Sequence, residues 1–175
     1  VNEDLRFPVG RAQRVEQLSA EDRDAAIRVL ETAPDAFREA VRGLSDDQLD
    51  THYRDGGWTV RQVLHHLADS HVNADLRTRL ALTEDTPMVR AYDEGAFAEL
   101  ADARGAPVEL ALLTLEGVHG RWTRLLRALD EQDFARRYQH PDGRPGTVDT
   151  LVSIYAWHSR HHTAHVTALR ARKGW

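Results

Sequence analysis

Four histidines fall in the stretch "YAWHSRHHTAH", from Tyr155 to His165, and three more lie upstream in "HHLADSH" as His65, His66 and His71. The chain holds ten histidines and no cysteine. Thiolate nucleophiles, iron–sulfur clusters and zinc ribbons are therefore excluded, and any metal must be held by nitrogen and oxygen. Imidazole is the commonest protein ligand for such ions. On a helix, residues four apart share a face and can chelate one ion. His158 with His162 and His161 with His165 both have that spacing.

Helical geometry separates the two pairs. At about 100° per residue, Leu151, Ile154, Tyr155, Val166 and Leu169 define an inward face. His158, His162 and His165 fall within it, whereas His161 lies at its edge toward Trp157. A lone histidine there would read as a packed core residue. Three on one stripe, each needing a polar partner once buried, favour a metal, with His158 and His162 as ligands and His165 packed beside the ion.

A third ligand must come from a neighbouring helix. His66 lies on a polar stripe with Gln62, Asp69, Ser70, Asn73 and Arg77, at the border of an apolar face. His71 falls inside that apolar face and is expected to pack in the core; His65 points away and is expected to be solvated. The candidate ligand set is thus His66, His158 and His162. Asp69, one turn beyond His66, reads equally as a further ligand, a carboxylate orienting an imidazole, or an exposed charge. His119 stands alone on its helix and reads as structural.

Three histidines without a fourth protein ligand describe an open site, the arrangement of catalytic rather than structural metals. Zinc fits best on availability, and nickel, iron or manganese also accept imidazole and water. Such an ion lowers the pKa of bound water to about 7, or deprotonates a bound thiol outright. A reacting thiol would have to be a cosubstrate.

These ligands need helices to hold them. The 175 residues are 41% hydrophobic and 29% charged, with a net charge of −5, a soluble composition with no basic stripe for nucleic acid. No apolar run approaches the ~18 residues of a membrane span. The N-terminus lacks the basic-then-apolar order of a signal peptide, so the expected location is cytoplasmic. Four long segments read as helices. The first starts at "SAED", where Ser19 and Asp22 have capping-box spacing, and continues through Ile27, Leu30, Phe37, Val41 and Leu44, with a kink expected at Pro34. The second starts at Thr59 with Gln62, the third at Pro107, and the fourth at Thr147, ending near "RKGW". The segment "EDTPMVRAYDEGAFAELADARGAP" between the second and third is too long for a plain turn and is expected to be functional or to carry a short helix. No strand pattern or repeat competes. The reading is all-α: one four-helix-bundle domain over 1–175, with an extended segment over 1–16 and a long crossover loop between helices two and three.

Taken together, "YRDGGWTVRQVLHHLADSHVNADLRTRLALTEDTP" and "YAWHSRHHTAH" resemble the DinB/YfiT superfamily, in particular its YfiT branch of metal-dependent hydrolases and bacillithiol S-transferases. The likeness runs from "FPVG" through "AYDEGAFAEL" and "HGRWTRLLRAL" to the terminal "GW". It implies a four-helix bundle, commonly dimeric, with His66, His158 and His162 on one zinc or nickel ion. Ala91 stands where the branch often has proline. The leading expectation is a thiol S-transferase that activates a small bacillithiol-like thiol against an electrophile in detoxification. Arg77 and Asn73 would meet the substrate, Arg77 at a carboxylate, and Tyr155 would line the pocket. The alternative is a hydrolase using hydroxide on the ion, with Asp69 as candidate catalytic base. A third reading is a non-catalytic metal-binding stress protein. The expected partners are a small thiol and an electrophile, with no nucleic acid, no membrane and a second copy of the chain.

Overall fold

The structure is a computed structural model that describes residues 5–175; the first four positions of the expected extended segment lie outside the described residues. Four long helices form a bundle: α1 (Ala20–Val41), α3 (Val60–Thr83), α6 (Val108–Arg127) and α8 (Val148–Lys173). Short helices α2 (Asp46–Leu49), α4 (Glu94–Ala98), α5 (Ala101–Gly105) and α7 (Glu131–Phe134) fill the connections. No described helix is long and apolar enough to cross a membrane.

The helix starts follow local chemistry. Ser19, Thr59 and Thr147 each accept a hydrogen bond from the backbone N–H three residues on, which satisfies one of the donors a helix leaves free at its N-terminus. At Thr59 and Thr147 the third residue returns the bond to the cap backbone, completing the box. Gly174, with φ of 72°, closes α8 in the left-handed region. α1 is continuous through Pro34 and ends at Val41, so Leu44 packs from outside the helix.

The connection into α8 differs from expectation. It contains a two-stranded antiparallel hairpin, β1 (Arg137–Gln139) with β2 (Pro145–Thr147). Three-residue strands are too short to show an alternating pattern. Gly146 opposes Tyr138, whose ring covers the place a Cβ would take, so a larger residue there would displace the tyrosine. The crossover between α3 and α6 carries α4 and α5, both laid against α3.

α1 packs against α6 and α8, and α3 packs against the same two helices. The core is split in two. One cluster holds Phe37, Leu64, Leu67, Leu115, Val166 and Leu169; the other holds Leu30, Ala74, Trp122, Leu126, Leu151 and Tyr155. Between the clusters α3 buries Ser70 and His71, α6 buries His119, and the α8 interval holds His158, His161, His162 and His165. A layer of imidazoles thus separates two apolar halves. The N-terminal strap is fastened along α8: Glu16 O accepts from Thr147 Oγ1 at 2.6 Å, Leu18 N donates to Asp149 at 2.9 Å, and Trp157 Nε1 donates to Gly10 O at 3.1 Å.

Candidate metal centre

α3 and α8 bring His66, His158 and His162 together, with one ligand atom from each lying within 4.8 Å of the others. His66 Nε2 and His158 Nε2 are 3.2 Å apart. Two nitrogens on a tetrahedral ion at 2.0–2.1 Å would be about 3.3 Å apart, so the separation fits an ion between them. Burial lowers the His66 pKa to about 4 and holds His158 and His162 well below the usual value, with neighbouring imidazoles adding to the effect on the α8 pair. All three are therefore neutral at pH 7, the form that ligates. The donor set is three nitrogens with no carboxylate, which suits zinc or nickel better than calcium or magnesium.

A second trio, His161, His162 and His165, is equally close and shares His162. Both ring nitrogens of His165 are already engaged, Nε2 with Arg6 O at 3.1 Å and Nδ1 with His162 Nδ1 at 3.3 Å. The second trio also lies wholly on α8, where the adjacent His161 and His162 stand about 100° apart around the helix, and is the weaker ligand set. His161, expected at the edge of the inward face, is buried, stacks on Trp157 at 4.3 Å, and has no hydrogen-bond partner at Nδ1.

The three ligands open on a cavity of about 470 Å³ whose wall includes Arg6, Tyr53, Arg54, Trp58, Glu94 and Trp157. The loop "YRDGGW" shapes its rim. Tyr53 N donates to Trp58 O at 3.0 Å and Gly57 N to Arg54 O at 3.0 Å, with Gly56 at φ of 65° making the turn. Trp58 then lies 4.6 Å from the His66 ring and Tyr53 stacks on His165 at 4.0 Å. Arg54 and Trp58, within the motif that carries the family resemblance, were not among the expected site residues. The available signal was an arginine and a tryptophan in the glycine loop that leads directly into the helix carrying His66.

The other sequence candidates sit elsewhere. Asp69 is half-buried, its pKa raised by burial and then by Asp102, and it is not on the cavity wall. Asn73 Nδ2 donates to Asp69 O at 2.9 Å, and Asn73 lines a separate cleft with Arg90 and Tyr92. Arg77 Nη2 donates to Arg90 O at 2.8 Å, bracing the crossover loop. Tyr155 is buried in the core, 5.0 Å from the His71 ring, with Ser70 Oγ at 3.4 Å from its hydroxyl. Along α3 the polar stripe leaves the cavity after His66 and reaches the crossover loop at Asn73 and Arg77, which separates Asp69, Asn73 and Arg77 from the ligands. His65, expected in solvent, is only 8% exposed, because the crossover covers it and Ala106 O lies 3.3 Å from its Nε2.

Comparison with known proteins agrees with this architecture. Residues 29–166 match the model of the DinB superfamily. The chain is 49% identical over 172 residues to YfiT of Bacillus subtilis (strain 168), covering 98% of this chain and 97% of that one. It is 48% identical over 173 residues to a relative from Geobacillus thermodenitrificans (strain NG80-2), covering 98% and 97%. Both relatives bear the name "Putative metal-dependent hydrolase". The solved structure of YfiT from Bacillus subtilis, described as an unusual four-helix bundle topology, superposes with a TM-score of 0.95 over 98% of this chain and 99% of that one. The chain belongs to the DinB superfamily.

Proposed function

We propose that the protein is a metal-dependent hydrolase of a small, negatively charged substrate. The observation that carries this reading is the convergence of three neutral imidazoles on one wall of an open cavity that also presents Glu94, Arg6 and Arg54. When bound, the ion supplies Lewis acidity, making a nucleophile available near neutral pH. His66, His158 and His162 would hold it at the cavity wall. Among the described residues Glu94 is the one carboxylate on the cavity wall, and it would take a proton from the nucleophile. Arg6 and Arg54 bind and orient an anionic group, while Trp58 and Trp157 exclude water from the ligand side. The names of the relatives support hydrolysis.

Thiol transfer is the second reading: a thiol that ionises on the ion needs no general base, so it would not call on Glu94, and the cavity wall carries two arginines for an anionic cosubstrate. The same Arg6 and Arg54 would hold a carboxylate of the thiol. The two readings separate in one experiment on the zinc- or nickel-loaded protein. Turnover of a chromogenic anionic ester without thiol supports hydrolysis; loss of an electrophile only when a low-molecular-weight thiol is added sinks hydrolysis in favour of transfer.

A further inference from the structure

Three buried imidazoles, His71, His119 and His165, continue the ligand set, and with His158 and His162 they form two hydrogen-bonded chains, each ending on a backbone carbonyl. In the first, His158 Nδ1 meets His71 Nε2 at 3.1 Å, His71 Nδ1 meets His119 Nε2 at 2.7 Å, and His119 Nδ1 meets Leu30 O at 2.6 Å. In the second, His162 Nδ1 meets His165 Nδ1 at 3.3 Å, and His165 Nε2 meets Arg6 O at 3.1 Å. We propose that these two histidine relays set the tautomers of His158 and His162, so that each presents the lone pair of Nε2 to the metal ion.

The direction of each chain is forced. A carbonyl oxygen only accepts, so His119 Nδ1 carries the proton that Leu30 O receives. A neutral His119 then has a bare Nε2, which must accept from His71 Nδ1. His71 Nε2 is bare in turn and accepts from His158 Nδ1. His158 is left with its proton on Nδ1 and a free lone pair on Nε2, the atom 3.2 Å from His66 Nε2. The second chain runs by the same logic: His165 donates from Nε2 to Arg6 O and accepts at Nδ1 from His162, freeing His162 Nε2. Each ring is buried, with His71, His119 and His165 at 0%, 1% and 3% exposed, and none has a carboxylate among these partners, so each carries a single proton to place.

Pro34 supplies the anchor of the first relay. Having no N–H, it cannot bond the carbonyl four residues back, and that carbonyl is Leu30 O. α1 passes through Pro34 unbroken, so a buried acceptor is left inside the bundle without its helical donor. His119 fills that vacancy. Every nitrogen of His71 and His119 is thereby paired, which is what makes a buried polar layer between two apolar clusters tolerable. A ligand imidazole that donates its other N–H is fixed in rotation and made more basic at the metal-facing nitrogen. His71, His119 and His165 are thus positioning residues, acting through His158 and His162.

This inference rests on the metal-site reading, and its test has a part that does not. In the metal-free, full-length protein, two-bond proton–nitrogen NMR correlations should show the proton on Nδ1 in His71 and His119 and on Nε2 in His165. The opposite tautomer at any of the three overturns the relay, whether or not the protein binds metal. Zinc affinity is then measured by competition with a chromogenic chelator. His119→Leu and His165→Leu should each weaken zinc about 10–100-fold. His119→Gln and His165→Gln, whose amide can accept at one end and donate at the other, should return affinity to within a few-fold of the parent. Leucine variants that keep the helical circular dichroism spectrum and bind zinc like the parent overturn the proposal. A parent chain with no zinc affinity would instead sink the metal reading, leaving the tautomers to judge the relay.

Discussion

Pro34 and His119 meet at one carbonyl: the oxygen of Leu30, which Pro34 cannot bond, accepts from His119 Nδ1 at 2.6 Å. An interior proline costs a helix about 3 kcal/mol relative to alanine. Here its position coincides with the end of a hydrogen-bond chain that reaches a metal ligand. Pro34→Ala restores an N–H opposite Leu30 O. The expected result is a higher thermal midpoint for the metal-free protein together with several-fold weaker zinc binding. Unchanged zinc affinity would detach Pro34 from the relay.

Removing a ligand should abolish the site, whereas changing its neighbour should not. His66→Ala and His158→Ala are expected to lower zinc affinity by at least 100-fold, since two imidazoles remain where three converged. His161→Ala, which removes a ring with an unpartnered Nδ1, should leave metal content near one ion per chain. Elemental analysis of the purified variants decides, and full occupancy in either His66→Ala or His158→Ala contradicts the three-histidine site.

The cavity residues divide by role. Arg54→Met should raise KM for an anionic substrate with little change in kcat, because it removes binding shared by ground and transition states. Glu94→Gln should lower kcat for ester hydrolysis by about 10²–10⁴-fold, while leaving thiol-dependent turnover close to the parent. Steady-state kinetics on both substrates check this, and equal losses in both reactions would show that Glu94 is not acting as a base.

The imidazole layer makes metal-free stability depend on pH. His119 titrates near 4 in the folded chain and near 6.5 when free of burial, so the unfolded state takes up its proton first. The stabilising difference is complete above pH 6.5 and is lost as pH falls from 6.5 toward 4. His119 alone accounts for about 3 kcal/mol at the acid end. Thermal melts after chelation should show a falling midpoint across that window; a flat profile between pH 7 and 4.5 would contradict neutral burial.

Away from the site, Arg23 and Asp149 form a buried pair at 2.7 Å, 6% and 1% exposed, and Asp149 also accepts from Leu18 N. Asp149→Asn leaves the guanidinium paired with Glu131 at 2.6 Å but beside a neutral amide on its buried side, and should cost about 1.5–3 kcal/mol. Urea denaturation measures the loss. The same variant should loosen the strap that carries Arg6, so zinc affinity is expected to fall as well.

Much of this was written in local chemistry. Ser19, Thr59 and Thr147 mark helix starts because a hydroxyl three residues before a backbone N–H caps it whatever the surroundings. His158 and His162 share a face because a helix turns by about 100° per residue, and the border between the polar and apolar stripes of α3 singled out His66. Residues set by distant partners were not legible in this way. His65 became buried because the crossover folds over it, and Arg77 was drawn to Arg90 O instead of the cavity. Arg6 and Arg54 reached the cavity from a strap and a loop that have no periodicity to read. His119 was a lone histidine on an apolar helix until α1 placed Leu30 O against it. A proline, a carbonyl and three histidines spread over four helices acquire a common direction only when packing brings their atoms within hydrogen-bond reach, because hydrogen bonds depend on distance and angle rather than on sequence spacing.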